Sequence, residues 1–356
     1  MSHLISLLTV ALAAAFAPPA SQPASGPTSM LNQVIAANHL SGVMLAAEDG
    51  KIVFHEAFGV ATPEGRPVEI GDRFEVASVT KPLTAMAILK LVDDGELELD
   101  QPVAEVLQGF PQKSITIRQL LTHVAGYPSH IKYVADYVGI DKVAPFEAFL
   151  TPMFDGTVAP ERPGTNYVYT NLHYWLLCRV IEETTGQTYA EAMKTLIFEP
   201  LDMKSTTIGV PAEGTLAMGL VREGENLVVQ EEATDNQFTV ALVNQQGDVH
   251  LHTTCADLLK LAAVLDEPPF RQMLEAQKDT DGSEIVTGDW LGQQMGLGWR
   301  LADGGQIVYH TGDWGGYRAA FYHHRGTGRT LIYTLNQEPA NWGFVSEPLD
   351  WLRGNR

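Results

Sequence analysis

Ser78 and Lys81 stand three residues apart in Phe74-Glu75-Val76-Ala77-Ser78-Val79-Thr80-Lys81-Pro82, a spacing that puts a hydroxyl and an amine on one helix face, a turn apart. An amine so placed can take the hydroxyl proton and activate the oxygen for acyl transfer. The flanks predict the geometry. Phe74 to Ala77 reads as extended, Pro82 falls in a first helical turn where its missing N–H costs nothing, and Leu83 to Leu91 is apolar almost all round. The pair therefore sits at the mouth of a buried helix, whose amides and dipole favour an oxyanion. Alone, the spacing is a weak signal, because a helix cap followed by a solvated lysine gives the same pattern.

Two more segments offer chemistry. Tyr169-Thr170-Asn171 precedes an apolar helical pattern, and His310-Thr311-Gly312-Asp313 closes a strand and runs into Trp314-Gly315-Gly316. Each has an ordinary reading. Asn171 suits a cap for a helix over Leu172 to Thr185, where Leu172, Trp175, Leu176 and Val180 keep the helical period, and capping and catalysis can coexist. Tyr169 by itself reads as a half-buried strand aromatic.

In this order the three segments resemble the serine β-lactamase and penicillin-binding protein superfamily, nearest its class C type, with family VIII esterases and D-stereospecific peptidases as relatives. The resemblance runs from about Ser41 to Asn336 and extends to FEVASVTKPLT at 74–84, Leu120 to Gly126, and Pro163 to Gly186. It implies Ser78 as nucleophile, Lys81 as its activating amine, and Tyr169 as the phenol that relays the proton to the leaving group. Asn171 would hold Lys81 and the acyl side of the substrate. His310, Thr311, Gly312 and Asp313 would form the substrate-binding strand, with the backbone amides of Ser78 and Asp313 as oxyanion hole. Protons in such a Lys–Tyr pair belong to the pair.

Three departures shape the expected substrate. His310 stands where β-lactamases carry lysine, so a partly charged group replaces a permanent cation. Asp313 adds an acid beside the pocket, and Ala125 replaces the serine usual in the Leu-Leu-Thr-His segment, whose His123 is expected to be structural. The expectation is a serine hydrolase that works through an acyl-enzyme on a small ester or amide, in a pocket without a permanent cation. A β-lactamase or D-Ala-D-Ala carboxypeptidase is the alternative. A silent penicillin-recognising sensor is a third, opposed by the intact relay, which a pure binder does not need.

The elements that must position these residues come from both chain ends. Gly42 to Ala47 and Ile52 to Phe58 flank an Asp49-Gly50 turn signal, and Gln306 to His310, Tyr317 to His323 and Thr330 to Leu335 read as strands before a short helix, Phe344 to Leu352. The predicted fold is α+β: one antiparallel sheet from residues 29–81 and 291–356, with a mainly helical lobe, 82–290, inserted. That lobe carries irregular stretches around Gly139 and Gly214 to Gln246. The site would lie between sheet and helices.

A formal net charge of −20 argues against nucleic acid and anionic membrane surfaces as partners. The apolar run Leu4 to Ala17 and the Pro-rich stretch after it predict a signal peptide (1–20), a linker (21–28) and a periplasmic or secreted domain (29–356), with an uncleaved anchor as the alternative. Cys178 and Cys255 are either buried thiols or a pair. His250-x-His252 and His323-His324 lack a carboxylate or cysteine to complete a metal site, so neither metal nor cofactor is expected. The expected partner is a small ester, amide or lactam, and the oligomeric state stays open.

Overall fold

Asp49 and Gly50 both take left-handed backbone (φ 49° and 74°), the conformation of a tight hairpin turn, and they join β1 (Gly42–Glu48) to β2 (Lys51–Phe58). The computed structural model describes residues 26–355 apart from 140–142, 213, 225, 234–241, 289–290 and 292–293. The predicted signal peptide and most of the linker lie outside them. Helix α1 (Pro27–Ala37) starts inside the last residues of that linker, with Pro27 in its first turn.

The remaining strands are β3 (Phe74–Glu75), β4 (Thr207–Ile208), β5 (Leu220–Glu223), β6 (Asn226–Val229), β7 (Leu251–Thr253), β8 (Gln294–Met295), β9 (Arg300–Ala302), β10 (Ile307–Trp314), β11 (Tyr317–His324) and β12 (Arg329–Leu335). The main sheet is antiparallel in the order β2-β1-β12-β11-β10-β9-β8. Strand β1 pairs directly with β12, Gly42 opposite Leu335, so the two chain ends share one sheet as expected. The helices are α2 (Thr80–Asp93), α3 (Val103–Val106), α4 (Ile117–Leu121), α5 (His130–Tyr133), α6 (Phe146–Phe154), α7 (Leu172–Thr185), α8 (Tyr189–Met193), α9 (Cys255–Ala262) and α10 (Ser346–Leu352).

Helices cover both faces of the sheet, which is why β1 and β12 are apolar along nearly their whole length. Met44, Ala46, Tyr309 and Tyr333 pack with Leu31 and Val34 of α1 and with Leu349 and Trp351 of α10. The alternate residues Val43, Leu45, Val308 and Ile332 pack with α2, Trp175 of α7 and Leu258 of α9. By the same alternation His310 and Gly312 fall on the side of the helical lobe. Cys178 and Cys255 are both free and buried.

The structure departs from expectation in specific places. Strand β10 runs on to Trp314, four residues past its predicted end, and the short strands β8 and β9 extend the sheet beside it. The inserted lobe carries the β5–β6 hairpin and two strands, β7 and β4, of a small sheet β3-β7-β4 whose third strand precedes the lobe. Ser78 lies in a 3-10 turn, Ala77–Val79, that leads into α2, with Ala77 in left-handed backbone (φ 48°). The turn still faces Ser78 towards Lys81.

Gly312 docks β10 on that turn. A Cβ there would overlap the carbonyl oxygen of Val76, whose own amide is tied to Leu251 of β7 (3.0 Å). Gly312→Ala should therefore destabilise the fold by about 1–3 kcal/mol and cut kcat/KM by about 100-fold through displacement of β10. Thermal melting and ester kinetics measure both; a variant with normal activity would show that the close approach is not needed.

Candidate active site

The hydroxyl and the amine meet as their spacing predicts: Lys81 Nζ donates to Ser78 Oγ at 2.8 Å, and the lysine is fully buried. Around Ser78 lies a cavity of about 210 Å³ lined by His130, Tyr169, Asn171, Val249, Arg300, Thr311, Asp313 and Trp314. Ser78, Tyr169, Asn171, Thr311 and Asp313, drawn from three distant segments, thus share one wall. A larger cavity of about 550 Å³ shares Thr311 and Asp313 with it but holds none of Ser78, Lys81 and Tyr169, so chemistry and not size marks the site.

Positive charge faces Tyr169 on two sides. Lys81 Nζ lies 5.2 Å from the ring centroid and Arg300 Cζ 5.0 Å from it. Behind the phenol, the His123 ring stands 4.6 Å away. His123 Nδ1 accepts from the Thr170 amide (3.4 Å), which leaves His173 Nδ1–H to donate across 3.2 Å to the same nitrogen. The arrangement can hold a nucleophile, a base beside it and a phenol close to the fixed guanidinium of Arg300. These are the parts that acyl transfer needs.

The family described as Beta-lactamase matches residues 29–352. The chain belongs to the Beta-lactamase family. That membership makes it a hydrolase of the serine type, with an esterase and a penicillin-binding protein among its relatives. It is 31% identical over 313 residues to penicillin-binding protein 4* of Bacillus subtilis (strain 168), a match spanning 85% of this chain and 69% of that protein. It is 33% identical to esterase EstB of Burkholderia gladioli over 194 residues, about half (49%) of each. In three dimensions it resembles the octameric penicillin-binding protein homologue of Pyrococcus abyssi (TM-score 0.75, 25% identity, 92% of this chain and 76% of that one). The D-amino acid amidase of Ochrobactrum anthropi SV3 shares the fold at 22% identity (TM-score 0.73, 92% of this chain and 98% of that one).

Within this family frame, several side chains sit differently from their sequence reading. His310 does not line the cavity: it is fully buried, and its Nδ1 donates to the Thr311 carbonyl at 2.8 Å. Burial, then Arg300 and Lys81 nearby, hold its pKa well below the ordinary histidine range, so it is neutral. Gly312 serves the packing of β10 rather than the cavity wall. Asn171 stands at the N-cap of α7, but its side chain makes no cap hydrogen bond. Lys81 is held instead by Asp248, whose carbonyl is 3.4 Å and whose Oδ2 is 3.7 Å from Nζ. Asp313 faces the cavity already paired with Arg318 (2.8 Å), so its charge is compensated.

A pocket without a permanent cation is not what the structure has. Arg300 lines the cavity and its Nη1 donates to Thr311 Oγ1 at 3.3 Å. The sequence showed no sign of it, because the three-residue strand that carries it is too short for a period. Asp248, His130 and Val249 were missed for the same lack of pattern, and Trp314, quoted with its motif, was given no place in the site. His250, set aside as incidental, pairs through Nδ1 with buried Glu75 Oε1 (3.4 Å), and His252 Nδ1 bonds the His250 carbonyl (3.3 Å).

Several histidines here are buried and neutral. Burial lowers the pKa of His173 to about 3 and, with Lys81, that of His130 to about 4. A folded-state pKa below the unfolded value means that the unfolded chain binds the proton first as pH falls, so stability drops below about pH 6.5. His173 alone should remove about 2 kcal/mol between pH 7 and pH 5. Urea unfolding at both pH values should show that loss shrinking by about this amount in His173→Asn; an unchanged pH dependence would mean that His173 is already protonated in the fold.

Proposed function

We propose that the protein hydrolyses a small ester or amide through an acyl-enzyme on Ser78. The observation that carries this reading is the 2.8 Å hydrogen bond from buried Lys81 to Ser78, which lines a cavity together with Tyr169 and Thr311. Lys81 takes the Ser78 proton as Oγ bonds to the acyl carbon, and Tyr169 passes a proton to the leaving group. The developing oxyanion is received by the amides of Ser78 and Asp313, a contribution of roughly 3–4 kcal/mol per donor in comparable hydrolases. Water then attacks the acyl-enzyme by the reverse of the same relay. The resemblance to an esterase and to an amidase supports ester and amide substrates.

Arg300 favours a second reading alongside the first. Its guanidinium and the Thr311 hydroxyl stand together on the cavity wall, an arrangement suited to a carboxylate near the scissile bond. A β-lactam or a D-Ala-D-Ala peptide carries one.

Short-chain aryl esters and the carboxylated lactam nitrocefin, tested on the purified protein, separate the parts of this proposal. Ser78→Ala should lower ester kcat/KM by about 1000-fold or more; an active variant would refute Ser78 as nucleophile. Arg300→Leu should lower nitrocefin turnover by about tenfold or more and leave neutral esters within about twofold, since a hydrogen bond to a charged group contributes roughly 1.5–3 kcal/mol. Equal losses on both substrates would reduce Arg300 to a support for Tyr169.

A further inference from the structure

The reaction described above makes no use of Asp248, yet the fold fixes it from three sides. Thr84 Oγ1 of α2 donates to the Gly247 carbonyl (2.6 Å), the His250 amide donates to Glu75 Oε1 (3.1 Å), and Trp175 Nε1 of α7 donates to Asp248 Oδ1 (2.9 Å). A Cβ on Gly247 would overlap the Tyr174 carbonyl, so the segment lies flush on α7. Oδ2 is left buried, without a hydrogen-bond partner, 3.7 Å from Lys81 Nζ. Neither side chain of the pair has any solvent exposure.

We propose that Asp248 is a positioning residue for Ser78: its carboxylate holds the Lys81 amine beneath the hydroxyl and fixes the pH range in which that amine can take up the Ser78 proton. The inference rests on Ser78 being the nucleophile. A carboxylate beside a buried amine stabilises its ammonium form, and an ammonium has no lone pair for the proton of Ser78. Asp248 thus exchanges some readiness of the base for its fixed position.

Around this pair, Asp248 itself and His250 are the groups whose titration falls near neutrality. On the Lys81 side, His123 and His310 are held neutral, chiefly by burial, and Tyr169 and Tyr174 present their rings (5.2 and 5.7 Å). On the Asp248 side, burial keeps Cys178 of α7 and Tyr189 of α8 protonated. Burial also disfavours charge on His250, but Glu75 and Asp248 outweigh it and raise its pKa above the usual value. Asp248 itself is pushed up to about 6 by burial, against the pull of Lys81 and His250.

The rate at which a fluorophosphonate labels Ser78, followed from pH 5 to 9 on the whole protein, tests the proposal without knowledge of the substrate. Asp248→Asn and the smaller Asp248→Ala should label more slowly on the alkaline plateau, with the acidic limb moved to lower pH by about one unit or more. Asp248→Glu, which keeps the charge, should hold the limb near its wild-type place. A carboxylate that only supports the fold would lower the plateau in either charge-removing variant and leave the limb where it was, which would overturn the proposal. A wild-type protein that is not labelled at Ser78 at all would refute the nucleophile itself, and with it this inference.

Discussion

A lysine side chain without solvent exposure is the constraint around which the rest of the molecule is arranged. Burying a charge costs several kcal/mol unless partners meet it, and removing one partner of a buried pair typically costs about 3–5 kcal/mol. Lys81 is met by the Ser78 hydroxyl, by the carbonyl and carboxylate of Asp248, and by the faces of Tyr169 and Tyr174. These partners come from three stretches of chain, at Ser78, at Tyr169 to Tyr174 and at Asp248. The sheet closed by both chain ends, the flush packing of Gly247 on α7 and the close approach of Gly312 to Val76 are what bring those stretches within reach.

The same burial also sets the behaviour of its neighbours. Four histidines lie close to the site, and burial, with Lys81 and for two of them Arg300 adding to it, keeps His123, His130 and His310 neutral. The single permanent charge on the cavity wall besides the compensated Asp313 is therefore Arg300, among the described residues. Histidine in place of lysine on β10 thus does not empty the pocket of positive charge. It moves the charge from β10 to β9, the adjacent strand, where a planar guanidinium can bond Thr311 and lie over Tyr169 at once.

What the sequence made legible follows the strength of local patterns. The helix Leu172–Thr185 is read to the residue because its apolar period is long and Gly186 ends it in left-handed backbone (φ 66°). The hairpin is legible through Asp49-Gly50, and Ser78, Lys81, Tyr169 and Asn171 through spacing and order. The strands of two or three residues leave no period to detect, and β9, which carries Arg300, is one of them. Asp248 and His250 lie in an irregular segment whose meaning is entirely tertiary: only the folded chain shows that one faces Lys81 and the other Glu75. His310 was placed in the correct strand, but the neutral, buried state of its ring depends on packing that no motif encodes.

The central claim is that Ser78 attacks with Lys81 behind it and the amides of Ser78 and Asp313 ahead. A crystal structure of the protein after reaction with a small alkyl fluorophosphonate tests this most directly. The account expects a phosphorus–oxygen bond at Ser78 Oγ, the phosphoryl oxygen within hydrogen-bond distance of both amides, and Lys81 Nζ still beside Oγ. An adduct on any other residue, or a phosphoryl oxygen turned away from β10, would contradict it.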